Sequence, residues 1–333
     1  MTLLPLVLAC STPSGPEVPE QAPAEAPDVP VRPAHEGLDT ANPSVCAPCH
    51  EQVVAEWKES MHSRSHADQD PVFAGLLALR TKKEGPEVAE GCATCHTPLA
   101  QAAPDSAAGR VGVACGACHD PLDIDRGERP DERKLCMSCH DAVENAAGVA
   151  SCTTGPENQA AGGLACGACH MPPTEDGRHK SHVFQGPHRA WYQDDPTLLK
   201  SALHVELTRE GGQATLKVRN TTGHAFPTGF PGRLAAIRLT GADGFSASPP
   251  ELVLKKAYVD AEGKPTLPPY AASLAADTRL QPDEVRQVTV DVPEGPLGAE
   301  LVFHLVAPPA HAPLGIEGTP EAAPKVVPLA TLP

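Results

Sequence analysis

Ten of the twelve cysteines stand in pairs with two residues between them, and each pair runs directly into a histidine. The five copies are Cys46-Ala47-Pro48-Cys49-His50, Cys92-Ala93-Thr94-Cys95-His96, Cys115-Gly116-Ala117-Cys118-His119, Cys136-Met137-Ser138-Cys139-His140 and Cys166-Gly167-Ala168-Cys169-His170. Cys-x-x-Cys-His is the attachment signature of haem c. Two thiols about one helical turn apart can each form a thioether to one edge of the same porphyrin, and the adjacent imidazole then lies under the ring to bind iron. Zinc ribbons need two cysteine pairs per metal, so five pairs do not divide into four-cysteine sites, and zinc leaves the five histidines unexplained. A thioredoxin-like redox pair leaves them unexplained as well. The spacing therefore predicts five haem c groups, with His50, His96, His119, His140 and His170 as proximal ligands.

Composition agrees with buried porphyrin. Only 3% of the residues are aromatic, so a core short of large rings has to bury another large apolar body. The formal net charge of −16 would repel a phosphate backbone, which argues against nucleic acid as a partner. The same acidity suits docking against basic patches on redox partner proteins.

Haem c is attached on the far side of the cytoplasmic membrane, so export is expected. The chain opens Met1-Thr2-Leu3-Leu4-Pro5-Leu6-Val7-Leu8-Ala9-Cys10, an apolar run closed by Val-Leu-Ala-Cys that resembles a bacterial lipobox. It would place a diacylglyceryl anchor on Cys10. The usual positively charged region is missing before it, so either translation starts upstream or the likeness is accidental. The expected location is the periplasm-facing or outer surface of a Gram-negative-type bacterium, with membrane contact through the lipid only.

Four segments follow from the changes in pattern. Residues 1–10 are the signal segment. Residues 11–42, rich in Pro, Ala and Glu, form an extended linker in which His35 is solvated. Residues 43–195 carry all five motifs among short helical pieces, predicted over 51–63 and 131–145, with porphyrin as their core. From about 200 to 333 the pattern changes to period two, in runs such as "ALHVELTRE", "QATLKVRN", "RLAAIRLTG", "ELVLKKAYV", "VRQVTVDVP" and "LVFHLVAP". Six or seven short antiparallel strands predict an immunoglobulin-like β-sandwich. The expected fold class is thus α+β and multidomain, a mostly helical and irregular multihaem part followed by an antiparallel sandwich.

Ten histidines lie outside the motifs, whereas apart from Met1 the methionines are only Met61, Met137 and Met171, the last two in or beside a motif. Distal ligands are therefore expected to be His, and bis-His coordination holds potentials lower than Met/His does.

The run "CAPCHEQVVAEWKESMHSRSHADQDPVF" resembles the haem-then-Trp-x-x-Ser-x-His segment of multihaem cytochromes related to the tetrahaem cytochrome of ammonia oxidisers, hydroxylamine oxidoreductase and pentahaem nitrite reductase. "VGVACGACH", "ACGACHMP" and "HKSHVFQGPH" are similar to that group too, so the likeness covers most of residues 43–190. It implies a helical domain of closely packed haems, with His62, His182 and His188 as distal ligands and Trp57 as packing. "NTTGHAFPTGFPGR", Asn220 to Arg233, resembles a segment of bacterial multihaem cytochromes with a C-terminal β-domain. A loop there could carry His224 back to a haem. His66 and His179 remain candidates for a further ligand, each close to a stronger one. His204, His304 and His311 are expected to be ordinary sandwich histidines, and Cys152, outside every motif, a buried thiol.

Two functions from different classes follow. In the first, every iron has two protein ligands and the chain is an electron carrier between redox partners, either other cytochromes or membrane quinol-linked oxidoreductases, with no catalytic residue. In the second, one open iron makes it a redox enzyme for nitrite, hydroxylamine or a related small nitrogen or sulfur compound. The supply of spare histidines favours the first. So do departures from the resembling enzymes: there is no Cys-x-x-Cys-Lys, and Tyr192, Tyr258 and Tyr270 all lie past the last motif. The β-domain could also serve assembly, as a homo-oligomer or filament contact.

Overall fold

The structure is a computed structural model, and it describes residues 37–119 and 131–333. The signal segment with Cys10, and the linker up to residue 36 with His35, lie outside the described residues.

The first half is built from short helices. Helix α1 (Ala47–Glu59) contains the first motif and kinks at His50. Helix α2 (Pro71–Glu84) starts cleanly because Asp70 accepts the free backbone N–H groups of Val72 and Phe73, with Pro71 in the first turn, where its missing donor does no harm. Helices α3 (Val88–His96) and α4 (Glu132–His140) each end on a motif histidine, as does the single turn α6 (Gly167–His170). Between them lie the hairpin β1 (Val143–Glu144) and β2 (Ala150–Cys152) and the short helix α5 (Thr154–Ala160). The helices end earlier than their sequence pattern suggested. The first stops at Glu59, where Ser60 turns extended, and α4 stops at His140, where the chain enters the hairpin.

After the turns α7 (Arg189–Tyr192) and α8 (Thr197–Ser201), the chain is built mainly of strands, with short helical turns such as His311–Leu314 between them. One sheet has the order β3 (Leu203–Glu210), β4 (Gln213–Asn220), β9 (Val285–Asp291). The other runs β11 (Lys325–Leu332), β10 (Leu297–His304), β5 (Leu234–Gly241), β7 (Val253–Val259), β8 (Ser273–Asp277), with β6 (Ser246–Ala247) on the flank of β5. This is the A-B-E against G-F-C-C′-C″ order of immunoglobulin-type sandwiches. Alternation in its central strands produces it. In β10 every second residue is buried, and Leu301 and Phe303 meet Leu216, Ile237 and Leu239 in one core.

The helical half is nearly coreless by comparison. Its buried apolar residues are few, chiefly Val54, Trp57, Phe73, Ala93, Ala114 and Ala190. Its helix α2 instead leans on the sandwich through Val72, Leu76 and Leu79. Gly75 makes this approach possible, since a Cβ there would lie 2.1 Å from the Leu314 carbonyl oxygen. Trp191 extends the seam by donating to the Ala323 carbonyl at 3.1 Å and meeting Phe303 edge-on. Among the described residues no helix is long and apolar enough to cross a membrane.

The seam predicts opposite outcomes for two helical glycines. Gly75→Ala should cost about 1–3 kcal/mol through overpacking, whereas Gly91→Ala in α3, with nothing within 4 Å, should gain up to about 1 kcal/mol from helix propensity. Thermal melts of the haem-loaded protein check both, with a lower and an unchanged-to-higher midpoint expected.

Candidate functional site

The motif histidines do not stand alone. The ring centre of His140 lies 6.3 Å from that of His62, His119 lies 6.2 Å from His182, and His170 lies 6.3 Å from His224. Two imidazoles bonded through Nε2 to opposite sides of one metal, each at about 2 Å, have centres about 6 Å apart. Three unrelated parts of the chain thus reach that separation opposite three different motifs. The motif residues therefore fit haem c.

The outer ring nitrogens agree. His170 Nδ1–H donates to the Gln185 carbonyl at 2.5 Å, His182 Nδ1–H to the Lys180 carbonyl at 2.7 Å, and His96 Nδ1–H to the Ser65 carbonyl at 2.8 Å. A backbone acceptor on Nδ1 orients the ring and leaves the Nε2 lone pair for a metal. Burial acts in the same sense by disfavouring the charged ring. It lowers the pKa of His62 to about 4, with the neighbouring His140 and His182 adding to the effect, and burial likewise lowers those of His96, His119, His140, His182 and His224.

The segment around His62 is held by a compact set of bonds. Trp57 Nε1–H donates to the Val113 carbonyl at 2.8 Å, and Val113 N–H donates to the His62 carbonyl at 2.9 Å. Ser65 Oγ–H is within reach of the carbonyls of His62 at 3.0 Å and His96 at 2.7 Å, tying two motif regions together. Gly112 passes so close that a Cβ would lie 2.5 Å from the His62 oxygen, and its φ of +79° is one that glycine adopts freely.

Other candidates are placed differently. His66 is buried, but its Nδ1 accepts the Asp68 N–H at 3.1 Å. In the neutral ring the proton then sits on Nε2 and blocks coordination there. His179 directs Nε2 to Glu56 Oε1 at 3.1 Å, and the same carboxylate accepts the His182 N–H at 2.8 Å. His188 is neutral, its pKa lowered to about 3 by burial and then by Arg233, but the ring it meets is Tyr192. The ring that meets His96 is Phe73, stacked at 3.6 Å. Phe184, part of the quoted segment "HKSHVFQGPH" but given no role there, packs edge-on against both His62 and His182 while adopting a left-handed backbone, φ +48°. His204 is exposed beside Glu206, His311 Nε2–H donates to the Val306 carbonyl, and the Nδ1 of His304 is buried without a partner. Cys152 is half-buried rather than buried, its sulfur 3.8 Å from Thr154 Oγ1.

The thiols define which motifs adjoin. Cys46 touches Cys115, Cys95 touches Cys139, and Cys136 touches Cys166, with Cys118 beside both Cys136 and Cys139. The motifs therefore run first–third–fourth–fifth, and the second branches from the fourth. Among the described residues no group of three or more His, Cys, Asp or Glu converges on a metal-ion site.

Comparison with known proteins places the chain among multihaem cytochromes. The family model described as cytochrome c554 and c-prime matches residues 45–120, and the one described as cytochrome c3 matches residues 107–179. The crystal structure of a penta-heme cytochrome c552 from Thermochromatium tepidum superposes with a TM-score of 0.70 at 25% identity, covering 86% of this chain and 97% of that one. No curated protein matches the sequence. The chain is a multihaem c-type cytochrome with a C-terminal β-domain.

Ser65 provides a local test. Ser65→Ala removes the hydroxyl shared by His62, His96 and Val113, and should lower stability by about 1–3 kcal/mol. Denaturant unfolding followed by circular dichroism measures it.

Proposed function

We propose that this chain is an exported electron carrier that holds five haem c groups and passes electrons one at a time between redox partners. The three opposed histidine pairs carry this reading. His62 with His140, His182 with His119 and His224 with His170 would hold the haems of the fourth, third and fifth motifs. Bound iron supplies one-electron chemistry between Fe(III) and Fe(II). The protein supplies neutral imidazoles oriented by backbone carbonyls, burial that excludes water, and fixed spacing between neighbouring motifs. No proton donor or nucleophile is needed for that task.

The order of motifs supports a main path from the first motif to the fifth, with the second as a side branch off the fourth. Cys49 in the first motif and Cys169 in the fifth are the exposed motif cysteines, whereas those of the second, third and fourth are half-buried. Electrons would enter at one end and leave at the other. The partners are other cytochromes or quinol-linked membrane oxidoreductases with basic docking faces, drawn by the acidic charge. A diacylglyceryl group on Cys10 would tether the protein to a membrane beyond the cytoplasmic one. The β-domain also offers a surface for self-association into an oligomer or filament.

A second reading rests on His96. Among the described residues no imidazole faces it at the ligand separation, and Phe73 packs against its ring instead. An iron held there with an open side could bind nitrite, hydroxylamine or a related compound, and the fourth motif would feed it electrons.

Mass spectrometry of the exported protein should show the chain plus five haems; a colourless product, or the bare polypeptide mass from a host with haem-maturation machinery, would refute the proposal. Alanine at His62, His182 or His224 should each turn one haem from low to high spin by EPR, whereas alanine at His66 or His179 should leave the spectrum unchanged. Carbon monoxide and nitrite separate the two readings: an unchanged spectrum fits the carrier, and one ligated haem fits the enzyme.

A further inference from the structure

His224 belongs to the β-domain, yet it stands over a motif of the helical half, so something has to hold the two in register. One carboxylate does so. Glu157, in the helix α5 between the fourth and fifth motifs, points out of the helical half into the loop that follows β4. Its Oε2 accepts the N–H of Ala225, the residue next to His224, at 3.2 Å and the hydroxyl of Thr228 at 2.6 Å. Its Oε1 faces Nη1 of Arg279 at 2.8 Å, and the two side chains are only 9% and 7% exposed. Arg279 is fixed in turn by Asp277, through Nε at 2.8 Å and Nη2 at 2.7 Å. On the helical side, the Thr153 hydroxyl at the start of α5 donates to Oε1 at 2.5 Å.

We infer that Glu157 is a positioning residue for the fifth motif: through Ala225 and Thr228 it latches the β-domain loop so that His224 stays opposite His170, with Arg279 as the buried counter-charge. The inference rests on the reading of His224 as an axial ligand. Physically, a carboxylate with four partners in a nearly dry seam cannot move without leaving buried donors and a buried cation unpaired, so the loop has one position. The latch also leaves a negative charge near that haem, paired but fixed, which contributes to its potential. A merely structural salt bridge would stabilise the seam without setting coordination.

The test compares Glu157→Ala, Glu157→Gln and His224→Ala in the haem-loaded full chain by EPR and by spectroelectrochemical titration. Glu157→Ala is expected to produce the same single high-spin haem as His224→Ala. Glu157→Gln keeps an acceptor oxygen for Ala225 and Thr228 and removes the charge; it is expected to restore the low-spin state and to shift one midpoint potential upward, the others staying in place. A Glu157→Ala protein that is all low-spin overturns the inference, even if it melts earlier. If that variant does not fold, five unchanged potentials in Glu157→Gln overturn it equally. If His224→Ala itself stays low-spin, the ligand reading is wrong and the latch falls with it, an outcome distinct from failure of the latch alone.

Discussion

The rest of the structure depends on one interaction, the facing of a motif imidazole by a second imidazole from a distant part of the chain. Facing pairs need rings that are neutral, oriented and held about 6 Å apart. Burial keeps them uncharged, as in His62. Carbonyls on Nδ1 orient His170 and His182. Separation is the demanding part, because each pair joins segments 54 to 78 residues apart in sequence, from His170 to His224 and from His62 to His140. Hence the dense bonding around Trp57, Ser65 and Gly112, which sets where the His62 segment lies against two motifs.

That requirement also explains why the helical half is poor in apolar side chains of its own. Its helices are short, several end on the motif histidine, and the large continuous core belongs to the sandwich. The β-domain is therefore more than an appendage. It supports α2 through the Gly75 contact, anchors Trp191 and Tyr192, and brings its own histidine to the fifth motif. The solved penta-heme cytochrome superposes over most of both chains, helical and sheet parts together.

How far the sequence could be read varied with the range of the forces involved. The strands β3, β4 and β5 were legible almost to the residue, because alternation is written in consecutive positions. β11 was not, since Pro328 breaks its pattern; it is an edge strand whose register slips beside that proline, where the missing N–H is harmless. β8 was missed because all five of its residues are exposed and carry no apolar alternation. Among the histidines, chemistry of residue type could not separate His62 from His66, or His182 from His179. What separates them is which ring nitrogen is already engaged, by the Asp68 N–H or by Glu56, and such partners are chosen in three dimensions.

The sequence by itself determined the chemistry: five thiol pairs each followed by imidazole, histidines in excess of what the motifs use, and a C-terminal stretch patterned for a sandwich. These are local facts, set by spacing along one strand or one helical turn. Tertiary structure alone decided which histidine faces which motif, which motifs touch, and that a carboxylate from one half holds the loop of the other. Those depend on the closure of long loops and on competition for hydrogen bonds in a shared seam, and neither leaves a periodic trace in the order of residues.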